Sequence, residues 1–135
     1  MAPGTLVCPQ PIVYWLGKVD SGGQRARLAW AGTPSVSADD FEVTLADASP
    51  DRPGALIVGQ HSASKPLGGG TVLVEDPVVL SRFSIEADGT AVVRVPLGER
   101  PDLVGKEVYF QVVYRGSSAE NDIGMSDGLH VDVCK

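Results

Sequence analysis

The sequence predicts an all-β protein, an antiparallel β-sandwich of about eight or nine strands, Ig-like or jelly-roll-like in its layering. Three observations carry this. Apolar residues recur with a period of two along most of the chain, the spacing of strands with one buried and one wet face. The 135 residues include 16 Gly and 10 Pro, a density of turn formers that favours many short elements. No stretch sustains a helical period, and at most a turn of helix fits residues 100–104.

Taken in order, the first segment, "APGTLVCPQPIVYWL", is apolar and punctuated by Pro3, Pro9 and Pro11. Proline cannot donate to a ladder, so residues 1–13 read as an edge segment, lying on its own subunit or on the next one. Tyr14 and Trp15 are sequence neighbours and point to opposite faces, so one of them is expected in solvent. In "QRARLAW", Ala26, Leu28 and Trp30 alternate with Arg25 and Arg27. In "DFEVTLA", Phe41, Val43 and Leu45 alternate with Glu42 and Thr44. Pro50, Pro53 and Gly54 break the chain before "ALIVG". "GQHSASKPLGGG" reads as a loop, and its triple glycine Gly68, Gly69 and Gly70 turns the chain into "TVLVE". In "VVLSRFSIEA", Val79, Phe83 and Ile85 share a face; in "TAVVRVPL", Ala91, Val93, Val95 and Leu97 do. Asp88-Gly89 between them is the strongest hairpin signal in the chain.

"EVYFQVVYR" is apolar on both faces. Val108, Phe110, Val112 and Tyr114 form one side, and Tyr109, Gln111 and Val113 the other. Such a strand is central in its sheet and covered twice. Gln111 then reads as a half-buried amide satisfying the backbone of a neighbouring loop. In "GLHVDVC", Leu129, Val131 and Val133 oppose His130 and Asp132. The whole of residues 1–135 reads as one domain, a length that buries a real core.

The net charge of −6 repels phosphate backbones, so nucleic acid is an unfavoured partner. No run of about 18 apolar residues is present, so no membrane insertion is expected. The first residues lack a basic n-region and a long apolar h-region, so no signal peptide is visible. Val7 before Cys8 is too bulky for a lipoprotein signal. The only two cysteines, Cys8 and Cys134, stand near opposite ends. One reading joins them in a disulfide that closes nearly the whole chain and places the protein in an oxidising compartment. The other leaves two partly buried thiols. The disulfide is the expectation, because terminal strands often pair.

Laid out this way, the spacing resembles a β-sandwich domain that recurs in large secreted proteins of Planctomycetes and myxobacteria. The matching positions are Tyr14, Gly17, Gly32, Pro34, Phe41, Val43, Leu45, Gly54 and Gly59. They continue with Asp88, Gly89, Leu103, Gly105, Tyr109, Gln111, Ser126, Gly128 and Leu129. The resemblance implies an extracellular or cell-surface module without catalysis, often part of a longer protein. Many such domains carry mid-chain cysteines; this chain has none there, so no disulfide pattern carries over.

A search for chemistry finds little. "MSDGLH" offers Ser126, Asp127 and His130, but neighbours on a strand alternate faces, and no GxSxG elbow is present. His61 sits among Ser62, Ser64 and Lys65. No HxH, HExxH or Cys/His cluster suggests a metal. The weak calcium candidates are the loops holding Asp39 with Asp40 and Glu120 with Asp122. No cofactor is expected. The function expected is a non-catalytic extracellular structural or interaction module that self-assembles, adheres or engages a protein partner. The alternative is a carbohydrate-binding module, with Tyr14, Trp15, Tyr109 and Tyr114 as ligand-facing aromatics.

Overall fold

The computed structural model describes residues 8–15, 23, 25–67, 70–115 and 123–135. Gly17, Gly68, Gly69, Glu120, Asp122 and residues 1–7 lie outside them. Ten strands are present among the described residues, and no α-helix. They are β1 (Ile12–Tyr14), β2 (Arg27–Ala31), β3 (Glu42–Ala46), β4 (Pro53–Gly59), β5 (Ser62–Leu67), β6 (Gly70–Val74), β7 (Val78–Ser84), β8 (Ala91–Arg94), β9 (Glu107–Arg115) and β10 (Ile123–Asp132). Two short 3-10 turns, Leu97–Glu99 and Pro101–Leu103, fill the connector where at most one helical turn is expected.

The strands form three antiparallel sheets. The largest has the order β1-β10-β9-β4-β7, the second β2-β3-β8, and the third is the hairpin β5-β6. The five-stranded and three-stranded sheets face each other over the main core. Leu28, Phe41, Val43, Leu45, Ala91 and Val93 come from one side, and Leu56, Val108, Phe110, Val112, Leu129 and Val131 from the other. Trp30 and Phe83 pack at its margin. Alternation explains this core: each strand sends every second residue inward.

The β5-β6 hairpin adds a third layer on the outer face of the large sheet, against β9 and β10. Leu73, Val74, Met125 and Ile57 are buried there, apart from the main core. This explains the two-sided strand. Val108, Phe110, Val112 and Tyr114 enter the main core, while Gln111, fully buried, faces β6. Its Nε2 donates to the carbonyls of Thr71 and Ser126, each at 3.0 Å, and its Oε1 accepts the Leu73 N–H at 2.9 Å.

The chain ends are held together. β1 pairs with β10, Ile12 opposite His130 and Tyr14 opposite Gly128. Cys8 and Cys134 form a disulfide with their Cα atoms 5.7 Å apart. Val36 N–H donates to the Cys134 carbonyl at 3.0 Å, and Cys134 N–H to that of Pro34 at 2.9 Å. Residues 8–15 thus lie on the edge of their own domain.

Three expectations are corrected. Asp88-Gly89 does close a tight turn, with Gly89 at φ +80° and its N–H donating to Glu86 O at 2.9 Å. It does not join two strands of one sheet. Beyond it, residues 91–94 pair with β3, whereas β7 pairs with β4, so the turn passes from one sheet to the other. Ile85, Val93 and Val95 still meet in one core, with Phe83 packed against it. Second, Val79 does not share the buried face of Phe83 and Ile85: it is 43% exposed. A bulge between Leu56 and Ile57 shifts the β4-β7 register, setting Val79 opposite outward-facing Ile57. Third, the segment read as a loop around His61 contains β5, a polar strand interrupted by Pro66, as suits an edge.

Candidate functional site

The aromatics expected to face a ligand do not share a surface. Tyr114 lies in the main core at 2% exposure, as its position on the Val108, Phe110 and Val112 face dictates. Trp15 is 63% exposed, and Tyr14 beside it is half-buried, so one of that pair is in solvent as expected. Tyr14 turns its ring edge onto Tyr109, 5.8 Å away and at 88°, and donates its hydroxyl to the Leu73 carbonyl at 2.7 Å. Burial, and next the neighbouring Tyr109, hold this phenol well above its ordinary range. These four rings offer no pair of coplanar exposed faces for a pyranose to stack on.

The acidic loop around Asp39 serves the fold. Asp39 Oδ2 meets Arg94 at 3.0 Å, and its Oδ1 accepts the Gly98 N–H at 2.8 Å. Asp40 Oδ1 accepts the Thr33 N–H at 2.9 Å. The other calcium candidates, Glu120 and Asp122, fall outside the described residues.

Ser126, Asp127 and His130 part ways. The β9-β10 register shifts between Met125 and Gly128, and the two residues between them turn inward. The Ser126 hydroxyl accepts the Val112 N–H and donates to the Asp127 carbonyl. Asp127, buried, reaches across to the edge of β2, where its Oδ1 accepts the Leu28 N–H at 2.7 Å. Burial pushes this carboxyl up to about 6, against the opposing pull of that N–H and of Arg27.

His130 stands on the outer face of the large sheet and forms a group of its own. The register sets Asp132 opposite Glu107 and His130 opposite Tyr109, and all four side chains share this face because residues two apart on a strand do. The Tyr109 ring stacks on the imidazole, with centroids 4.7 Å apart and planes at 10°. Its hydroxyl donates to Glu107 Oε2 at 3.4 Å. His130 Nε2 lies 3.4 Å from Glu107 Oε1 and 3.3 Å from Asp132 Oδ1. That nitrogen is sealed from solvent and has no hydrogen-bond partner among the described residues. The donor atoms of Glu107, His130 and Asp132 all lie within 4.8 Å of one another.

Sequence reasoning passed over this group. The signal for half of it is present: His130-Val131-Asp132 on a strand puts a histidine and a carboxylate on one face. Glu107 joins them only through the β9-β10 register, which no local pattern specifies.

The described surface also carries exposed apolar residues at both edges of the large sheet. On β1 they are Ile12 and Val13, with Trp15 just beyond; on β7 they are Val78, Val79 and Leu80, at 65%, 43% and 38% exposure. A groove of about 370 Å³ runs beside the β7 residues, lined also by Val58, Leu103 and Val108 and by the polar Gln60, Asp76 and Arg100. Compared with protein-family models, curated proteins and solved structures, the chain matches none.

Proposed function

We propose that this protein is a structural or interaction module of an extracytoplasmic setting, and that it engages its partner by adding a strand at the β7 edge of the large sheet. The observation that carries this is the run Val78-Val79-Leu80, solvent-exposed on a strand that ends its sheet. Edge strands present unpaired N–H and C=O groups, and proteins that remain single usually guard them with lysine, an internal proline or a covering loop. β7 carries one charge in seven residues, Arg82. The adjoining groove, part apolar and part charged, has room for side chains of an added strand, which is how strand addition gains specificity.

The partner that fits most simply is a second copy. Two β7 strands related by a twofold axis run antiparallel, so the same apolar run meets itself, as an isologous contact requires. The disulfide fits an oxidising compartment, and the resemblance to secreted β-sandwich modules supports the same setting.

Sedimentation velocity over a concentration series tests this. The full chain shifts from monomer to dimer as concentration rises, and Val79→Lys remains monomeric with an unchanged circular dichroism spectrum. A wild-type chain that stays monomeric throughout, or a Val79→Lys chain that associates as before, refutes the reading.

A further inference from the structure

We propose that Glu107, His130 and Asp132 form a binding site for a divalent transition-metal ion of the zinc class. The site lies on the outer face of β9 and β10, away from the β7 edge, and is independent of the assembly reading.

Among the described residues His130 Nε2 is buried without a hydrogen-bond partner although two carboxylate oxygens stand 3.3 and 3.4 Å away. The nitrogen makes a hydrogen bond to neither of these oxygens, and an imidazole nitrogen grouped with two carboxylate oxygens is a donor set that metal ions use. Buried polar atoms are nearly always satisfied, and an ion is one of the few things that satisfies such an atom here.

Zinc binds imidazole nitrogen and carboxylate oxygen at about 2.0–2.1 Å, so adjacent donors of a tetrahedral site lie about 3.3–3.4 Å apart. The two nitrogen–oxygen separations equal that edge. The third pair falls within 4.8 Å, and both carboxylate side chains reach solvent. One nitrogen and two oxygens suit a borderline ion, whereas calcium takes oxygen ligands alone. Three protein ligands leave a fourth position for water or for a group from a partner.

Tyr109 holds both of its neighbours: its ring fixes the imidazole plane and its hydroxyl engages Glu107 Oε2. That leaves Glu107 Oε1 for the ion. Such orienting contacts are what metal-binding side chains ordinarily possess.

Isothermal titration of zinc chloride into the full, disulfide-bonded chain tests the site, with the protein stripped by chelator and carrying no histidine tag. Saturable binding of one ion per chain is expected. His130→Ala and Asp132→Asn each weaken it more than about tenfold, while His61→Ala, which alters the other histidine, leaves it unchanged. Glu107→Gln, at an exposed position that the fold does not need, weakens it likewise and guards against variants that misfold. Cobalt(II) in place of zinc gives the intense visible absorption of a tetrahedral centre. No saturable binding, binding that survives His130→Ala, or binding abolished by His61→Ala overturns the assignment.

Discussion

The side-chain oxygen of Gln111 accepts the backbone N–H of Leu73 at 2.9 Å, across 38 residues of sequence. This bond fastens the β5-β6 hairpin to the large sheet, because the same amide also donates to Thr71 and Ser126. Gln111→Ala removes all three bonds and leaves buried backbone groups unpaired. A loss of about 2–4 kcal/mol is expected in urea unfolding. A loss below about 0.5 kcal/mol contradicts this role for the amide.

Asp127 makes stability depend on pH in an unusual direction for an acid. Its folded value, about 6, lies above the unfolded value near 3.9, so the folded chain binds the proton first. The stabilisation linked to this proton is fully present below about pH 4 and is lost as pH rises through about 6. Keeping the buried carboxylate charged at neutral pH costs at most roughly 3 kcal/mol. Asp127→Asn retains an acceptor for the Leu28 N–H and has no charge to bury. Denaturant midpoints should therefore show the variant gaining on wild type at neutral pH and the gap closing near about pH 4. A gap independent of pH contradicts the assignment.

The Cys8–Cys134 disulfide joins residues 126 positions apart in sequence. Chain-entropy reasoning gives about 4–5 kcal/mol for such a closure. A double Cys→Ser variant should unfold at correspondingly lower denaturant, and non-reducing mass analysis of wild type should find no free thiol. Two alkylatable thiols in the native protein disprove the pairing.

Gly89 and Gly105 separate two costs that are usually confounded. Both have left-handed backbones, at φ +80° and +81°. A Cβ on Gly89 stands 2.5 Å from the Ala48 carbonyl oxygen, whereas one on Gly105 meets nothing within 4 Å. Gly105→Ala should cost about 1 kcal/mol, the backbone term alone. Gly89→Ala should cost about 2–4 kcal/mol, because the sheet-crossing turn must also move. Equal losses contradict the turn geometry.

Much of this architecture is written in the local pattern. Leu28, Val43, Leu45, Val93 and Val131 all face the core that alternation assigns them. Gln111 bonds to backbone as expected of a single polar residue in a strand covered on both faces, but it is fully buried rather than half-buried, and its partners lie in strands β6 and β10 rather than in a loop. Tyr114 shares the parity of Phe110 and Val112, which places it in the core and outside any ligand surface. What the pattern does not hold is long-range register. The Asp88-Gly89 turn is chemically a hairpin turn, yet which sheet receives the next strand depends on β3 and β4. The bulge at Leu56 reverses Val79, and the meeting of Glu107 with His130 needs the pairing of β9 and β10.

The reading of this chain as an assembly module rests on the β7 edge, and amide hydrogen exchange reads that edge directly. Exchange is followed by mass spectrometry on the full disulfide-bonded chain at a low and a high concentration. The account predicts that peptides covering residues 78–84 become protected at high concentration, while those covering β1 exchange at the same rate in both samples. Unchanged exchange across residues 78–84, with the chain at a concentration where sedimentation shows it dimeric, contradicts the account.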